Sequence, residues 1–429
     1  MSNRLKRYRD FNERLCLTNP SQALKQGSYV RPPGVTAADE IVNYLEPAPL
    51  SLVALLGGIG SGKSTELLVA AERLGKTEDT LALYIDVSEL HDLENLEPGV
   101  LVAAVGLRLC QIVEQRHNIV TTIGGGFYVR GPQTSQGRSL GDLSKQFRAW
   151  AETREGWIVD PEWEEATRPP VDDETPMIHT VVPGKLSMPH RLSTEIKTAL
   201  ELLRSLRTAL PAPNRYVIAV LDSLDRVSDL TRFAETIETD LRVLRSAEIG
   251  VVLTVPLLSL YGRHRPLLER FDHIVHLPPV EFDAHAEQKG GQFLLNVLSS
   301  RDPGRVIPVA TAARLAVLSG GVLRDMLGLA GDAAKLAYMA ASDTVTEAHA
   351  EAAAVQLART RWMGLNADDI AVLRRVMKGE TFAPSSDAEF ALLMTRRLLE
   401  YPQLGMAPRF AVHPVLLPLL SAAPTGKVP

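Results

Sequence analysis

The sequence predicts an α/β chain: a parallel sheet with helices on both faces, then a helical segment and a small C-terminal domain. Three observations predict it. The apolar runs Leu50–Leu56, Leu81–Val87, Arg215–Asp225, Gly250–Pro256 and His273–Val280 are largely continuous rather than alternating, as suits strands buried on both faces. Helical patterns lie between them at Gly62–Leu74, Val100–Glu114, Leu192–Leu210 and Asp229–Ser246, and alternation of this kind marks a doubly wound sheet. After Val280 the pattern is almost wholly helical to about residue 360, and residues 366–420 have a character of their own.

Each element has a local reason. Pro32 and Pro33 stop regular structure, and Ala37–Leu45 then suits a short helix. In Gly62–Leu74 the residues Leu67, Leu68, Ala71 and Leu74 share one face, and Gly75 is the stop. Residues of about 119–190 break the alternation with Gly, Pro and acidic clusters. They are expected to be an insertion, largely loop, with Trp157 and Trp163 as anchors within it. The expected domains are an arm at 1–30, an α/β domain at 31–280, a helical segment at 281–360 and a C-terminal domain at 361–429.

With 429 residues, 45% hydrophobic, the chain is long enough for two or three domains. A formal net charge of −5 gives no global basic excess that would point to nucleic acid. The two cysteines, Cys16 and Cys110, match no metal spacing and suit a reducing compartment. The polar N-terminus lacks the apolar stretch of a signal peptide, and "VVLTVPLLSLY" is too short to span a bilayer. A soluble cytoplasmic protein without a membrane partner is expected.

The stretch "LLGGIGSGKST" carries the spacing G-x-x-x-x-G-K-S between an apolar strand and a helix. Gly57 and Gly62 allow a tight loop, and backbone N–H groups of Gly58, Ile59, Gly60, Ser61 and Thr65 add to a phosphate cradle at a helix N-terminus. Lys63 would reach the β- and γ-phosphates of ATP or ADP, and the Ser64 hydroxyl would bind Mg²⁺. Such a loop needs a carboxylate on a neighbouring strand to hold the metal through water. "VIAVLDSLDRV" supplies Asp222 at a strand's C-terminal end, where ligands bind in open α/β sheets. Asp225, three residues on, is a candidate to orient the attacking water.

"LDSLDRV" resembles the second acidic motif of STAND-class and related AAA+ ATPases. The resemblance covers roughly residues 30–120 and 190–420. It implies that Thr254 in "GVVLTVP" senses the γ-phosphate from the next strand. It implies an arginine finger among Arg263, Arg265 and Arg270, with Arg270 preferred because "RFDHIVHL" has the Arg shortly before a strand. A finger acts across a subunit interface, so it implies a homo-oligomer. "SGGVLRDMLGLAGDAAKLA" resembles the helical lid of origin-recognition ATPases, in which Arg324 would reach the γ-phosphate. Residues 366–420 resemble a winged helix: Asn366 caps a helix to Lys378, Ser386 and Glu389 box a helix at Phe390–Leu399, and "LGMAPRFAVHP" is the wing. In the NLR type a histidine at this domain's end touches the β-phosphate of ADP, which implies that role for His413. Where many such ATPases carry Glu after the metal Asp, this chain has Ser223, which implies slow or conditional hydrolysis.

Two functions stand from this reading. One is a nucleotide-driven switch. STAND proteins usually carry sensor repeats and an effector domain, so partner proteins or the 119–190 insertion would supply them here, as in a bacterial defence or signalling cassette. The other is a DNA-associated ATPase of the initiator, loader or transposition-regulator type, with Arg396 and Arg397 on the recognition helix and Arg409 in the wing. Residues 361–429 hold eight Lys/Arg against six Asp/Glu, a weak surplus for a phosphate footprint. A small-molecule kinase fits poorly, because it leaves the helical segment and C-terminal domain without a role.

Overall fold

The computed structural model describes residues 3–15, 20–116, 140–152, 192–210, 214–281, 289–403 and 406–422. Cys16, Trp157, Trp163 and most of the expected insertion lie outside them. The chain divides into two compact units: Met1–Thr36, Gly57–Glu66 and His276–Pro429 form the first, and Ala37–Leu56 and Leu67–Val275 the second.

The second unit is built on a five-stranded sheet: β1 (Leu52–Leu56), β2 (Thr80–Asp86), β3 (Tyr216–Asp222), β4 (Ile249–Val255) and β5 (His273–His276). The order across it is β2-β3-β4-β1-β5, and the pairs β2–β3, β3–β4 and β4–β1 are parallel. All residues of β1 and β4 are buried, as their unbroken apolar sequence requires. β3 ends at Asp222, the strand end expected for that carboxylate; the apolar run does not continue as strand to Asp225, because Ser223 turns into the left-handed region (φ 69°) and a short 3₁₀ turn follows. β5 stops at His276, short of Pro278 and Pro279, whose missing N–H groups cannot serve a ladder.

One helix of this unit falls inside the segment expected to be mostly loop. Leu140–Glu152 buries Leu143, Phe147 and Ala151, a stripe at four-residue spacing, in the same core as the Val100–Arg116 helix. Glu114 of that helix accepts from both Arg148 Nε (3.0 Å) and Nη2 (2.7 Å). Gly137 and Gly141 at its start and the Gly, Pro and acidic clusters around it hide this helix from sequence reading.

The Val100–Arg116 helix starts on a fully buried carboxylate. Asp240 accepts from the N–H groups of Gly99 (2.6 Å), Leu101 (2.8 Å) and Val102 (3.4 Å), donors that a helix N-terminus leaves without partners. Burial pushes its pKa up to about 7, the three N–H groups opposing that rise. A folded-state pKa above the unfolded one means that ionisation opposes folding. The contribution to stability is therefore fully present below about pH 4. It is lost as pH rises towards about 7. Asp240→Asn is expected to flatten that pH dependence of the unfolding free energy in denaturant titrations; an unchanged slope contradicts the assignment.

The first unit begins with the amphipathic Asn3–Arg14 helix, which lies on the Leu323–Met339 helix. Arg4 donates to Ala341 O (2.7 Å), Tyr8 to Ser342 O (3.2 Å), and the Tyr8 and Tyr338 rings meet edge-on at 5.6 Å. The helices Lys289–Ser299, Val309–Leu318, Leu323–Met339 and Glu347–Trp362 follow, as the helical pattern predicts. Met326, Leu329 and Ala333 line the buried face of the third, and Val322 is its buried N-cap. The chain closes with Ala367–Met377, Asp387–Met394, the antiparallel hairpin β6 (Leu398–Gln403) and β7 (Met406–Val412), and Leu417–Ala422. Asn366 caps its helix as expected. Ser386 also caps, but Glu389 returns its bond to Ser385 rather than to Ser386.

The helix expected at Phe390–Leu399 is shorter than its sequence suggests. It ends at Met394, because Arg396 takes a left-handed conformation (φ 57°). Arg396 N donates to Leu393 O (3.0 Å) and Arg397 N to Leu392 O (2.8 Å), the bond pair of a Schellman turn. Arg396 and Arg397 are therefore not on a helix face.

Candidate functional site

In the first unit the phosphate loop runs from Gly57 to the Lys63–Leu74 helix. Gly60 (φ 85°) and Gly62 (φ 108°) take conformations that side chains disfavour. A Cβ on Gly60 would also lie 2.6 Å from Arg324 Cβ and 3.1 Å from Arg396 Nη1. Four consecutive loop carbonyls are held. Lys63 Nζ folds back to donate to Gly57 O (2.8 Å) and Gly58 O (2.9 Å). Arg396 Nη1 donates to Ile59 O (3.3 Å), and Arg324 N to Gly60 O (3.1 Å). The Ser61 hydroxyl is buried with no hydrogen-bond partner among the described residues. A loop held in this way presents backbone N–H groups, the helix N-terminus and the Lys63 ammonium to an anion. The cradle that only glycine permits at residue 60, and the orphaned Ser61 hydroxyl, fit a phosphate chain.

The loop's arginine contacts lead to a buried carboxylate. Asp325, in the first turn of the Leu323–Met339 helix, is 6% exposed and meets three partners. Arg361 Nη2 lies at 2.5 Å, Arg396 Nη1 at 2.9 Å and His413 Nε2 at 3.2 Å. Burial alone would raise the Asp325 pKa; the His413 bond and the charges of Arg396 and Arg361 outweigh it and hold the carboxyl below its usual range. Burial pushes Arg396 down to about 10 against the pull of Asp325, and lowers His413 likewise. Val415 N donates to His413 Nδ1 (3.4 Å), which leaves Nε2 to carry the proton that faces Asp325 Oδ2 (3.2 Å).

In the second unit the ends of three strands align. The register pairs Leu55 with Thr254 and Leu221 with Leu253, so Asp222 and Thr254 stand side by side at the carboxyl edge. The strand of Asp222 does not neighbour β1, as the sequence had suggested; β4 intervenes and carries Thr254. Asp222 is buried; Oδ2 accepts from Tyr84 Oη (2.7 Å) and Oδ1 from Ser223 N (2.6 Å). Burial and the Asp222 charge push the Tyr84 pKa far up, so the phenol keeps its proton as the donor. Asp225 N donates to Thr254 Oγ1 (3.4 Å), tying the turn after β3 to β4. The left-handed Ser223, with its buried hydroxyl unpartnered among the described residues, marks the tightest point of that turn. Arg270 pairs with Glu238 at 3.0 Å, both more than half exposed, a contact worth about 0–1 kcal/mol.

The structure thus brings Lys63, Arg324 and the Gly57–Gly62 loop together in one unit, and Asp222, Asp225 and Thr254 together in the other. Ser64 and Thr65 lie in the first turn after the loop. His413, expected at a phosphate, has both ring nitrogens engaged and is fully buried. Sequence reading misses Tyr84, Asp325 and Arg361. An acid in the first turn of a helix is visible at Asp325, but nothing in the spacing joins it to residues 361, 396 and 413. The expected DNA-contacting arginines all have partners within the chain, though the pair made by Arg409 is exposed. Arg397 donates to Arg361 O and Met363 O, and Arg409 lies over Tyr401 and pairs with Glu281.

A strand-first glycine loop, a carboxylate strand one strand away from β1, and a helical segment later in the chain define a P-loop fold of the AAA+ type. No family model matches the chain and no curated protein does. Solved structures are similar to it. The Aeropyrum pernix ORC2 protein, in ADPNP and ADP complexes, is 14% identical over 92% of this chain and 95% of its own, with a TM-score of 0.43. Pyrobaculum aerophilum CDC6P is 11% identical over 94% of each chain (TM-score 0.38). The Thermotoga maritima RuvB branch migration motor is 12% identical over 85% of this chain and 89% of its own (TM-score 0.36). Residue roles therefore rest on the geometry of this chain.

Proposed function

We propose that the chain binds ATP or ADP with Mg²⁺ at Gly57–Thr65 and acts as a nucleotide-dependent conformational switch that hydrolyses ATP slowly. One observation carries this reading: two of the four engaged loop carbonyls are held by the helical segment and the C-terminal domain of the same unit. A loop gripped by these elements suits a change of shape better than transfer of phosphate to a small acceptor. Lys63 would bind the phosphates. Ser64 and Asp222 would hold Mg²⁺, which commonly takes one or two protein ligands plus substrate phosphates rather than a protein cage. Asp225 and Thr254 would place the attacking water and read the γ-phosphate, and Arg324 would read it from the lid. Ser223 after Asp222 supplies no second carboxylate, which supports slow turnover.

Arg270 serves as a finger only if a second copy supplies the site, so a homo-oligomer belongs to this reading, as do protein partners in a defence or signalling system. The DNA-associated alternative stands beside it; of its three arginines, Arg396 and Arg397 hold Asp325 and Arg361 O, while Arg409 pairs with Glu281 at an exposed contact. Among the described residues no helix is long and apolar enough to cross a membrane.

The Asp222→Asn variant tests the assignment. It is expected to keep most nucleotide affinity and to lose Mg²⁺-dependent phosphate release at least tenfold, about 1.4 kcal/mol of barrier. Phosphate release at the wild-type rate removes Asp222 from the metal site. Nucleotide retained on the purified protein separates the assemblies: ADP on a monomer supports a resting switch, ATP in a ring an oligomeric machine.

A further inference from the structure

We infer that Arg396 is the positioning residue through which the occupancy of the phosphate loop reaches the C-terminal hairpin. The inference rests on nucleotide binding at that loop and adds the route by which binding is transmitted. Three observations carry it. First, Arg396 Nη1 bridges a loop carbonyl, Ile59 O (3.3 Å), and the buried Asp325 Oδ1 (2.9 Å). A guanidinium on a carbonyl grips the backbone of the loop through its acceptor, leaving the N–H donors to the anion. Second, the next carbonyl, Gly60 O, accepts from Arg324 N at the start of the helix that carries Asp325, a helix whose N-cap Val322 offers no side-chain acceptor. Two adjacent loop peptides and one carboxylate thus share the same helix start. Third, Arg396 is the C′ residue of the Asp387–Met394 helix in a left-handed conformation, where glycine is the favoured residue. A strained non-glycine backbone at a charged, largely buried contact points to a demand on the side chain.

The network continues from Asp325 into the hairpin's two ends. Arg361 Nη1 donates to Thr395 O, just before Arg396, and His413, just after β7, donates to Asp325. His413 N in turn donates to Arg397 O (3.0 Å), closing the hairpin base. A shift of the Ile59 peptide as phosphate enters the loop therefore reaches β6 through Arg396 and β7 through Asp325 and His413. Arg396 touches no nucleotide in this account; it acts through the loop backbone.

Hydrogen exchange of the full chain, with and without Mg²⁺ and ADPNP, tests this on Arg396→Gly, Arg396→Gln and Arg396→Lys. The wild type is expected to change protection in both Leu323–Met339 and the β6–β7 hairpin on binding. Arg396→Gly relieves the left-handed strain but also removes a partner of Asp325, so its melting temperature is measured alongside to show that the variant is folded. Its lid response persists, while its hairpin response falls by about fivefold or more, the scale of an ordinary coupling between sites. Arg396→Gln gives the same loss with the strain retained, and Arg396→Lys restores part of the response. A full hairpin response in Arg396→Gly or Arg396→Gln, with the nucleotide bound, overturns the inference alone. Failure of the wild type to bind ADPNP overturns the nucleotide reading and this inference with it.

Discussion

Lys63→Ala is expected to weaken binding of Mg²⁺-ATP by about a hundredfold or more, near 2.8 kcal/mol at about 1.4 kcal/mol per tenfold. Lys63 is 5% exposed and its Nζ is already held at the loop by Gly57 O and Gly58 O. A charge pre-placed there meets an incoming phosphate without first being ordered or stripped of much water, so little of its attraction is lost. Charge-assisted hydrogen bonds contribute about 1.5–3 kcal/mol each, and two phosphates share this one donor. Equilibrium titration with a fluorescent ATP analogue measures the loss. Because the alanine also removes the Lys63 bonds to Gly57 O and Gly58 O, the latter keeping Ser61 N (3.2 Å), the melting temperature of the variant is measured alongside. An affinity within about threefold of wild type in a folded variant contradicts the role of Lys63.

Asp325→Ala is expected to cost about 3–5 kcal/mol of stability in the first unit, the scale for removing one partner of a buried ion pair. The alanine would leave the Arg361 guanidinium, 7% exposed at the side chain, and Arg396 without their carboxylate, and His413 without an acceptor for Nε2–H. The effect lies in the uncompensated charges rather than in the contacts removed. Replacing the partners together should cost less than the sum of single changes, since these groups share one carboxylate. Denaturant unfolding of the single variants and of Asp325→Ala with Arg361→Met checks both statements. A loss below about 1 kcal/mol for Asp325→Ala would place the network among weak surface pairs instead.

Much of the sheet and loop is legible in the sequence because both rest on local chemistry. The apolar run Leu52–Leu56, the two loop glycines and the Asp222 strand each announce themselves within a dozen residues. The order of strands is less so: the sequence suggests a carboxylate on the neighbouring strand, and β4 with Thr254 lies between. Only long-range pairing decides that, and no local pattern encodes it.

The C-terminal domain shows the same limit. Asn366 and Ser386 cap their helices as the sequence predicts, because capping is local. The second helix stops at Met394 rather than at the predicted Leu399, since Thr395-Arg396-Arg397 carries no Gly or Pro to announce the end. What stops it is the pull of Asp325, Ile59 O and Arg361 O on two arginines, contacts that span 36 to 337 positions of sequence. The same contacts engage Arg396 and Arg397, two of the expected DNA-reading side chains. His413 shows the converse: its place at the end of the hairpin is legible, but its partner is a carboxylate that sequence spacing does not supply.

Calorimetric titration of the intact wild-type chain with ATP, in the presence and absence of Mg²⁺, tests most directly whether the Gly57–Thr65 loop binds nucleotide. Saturable binding at one site per chain, strengthened by Mg²⁺ and abolished by Lys63→Ala, is the predicted result. No saturable heat for ATP or ADP with a folded chain would contradict it.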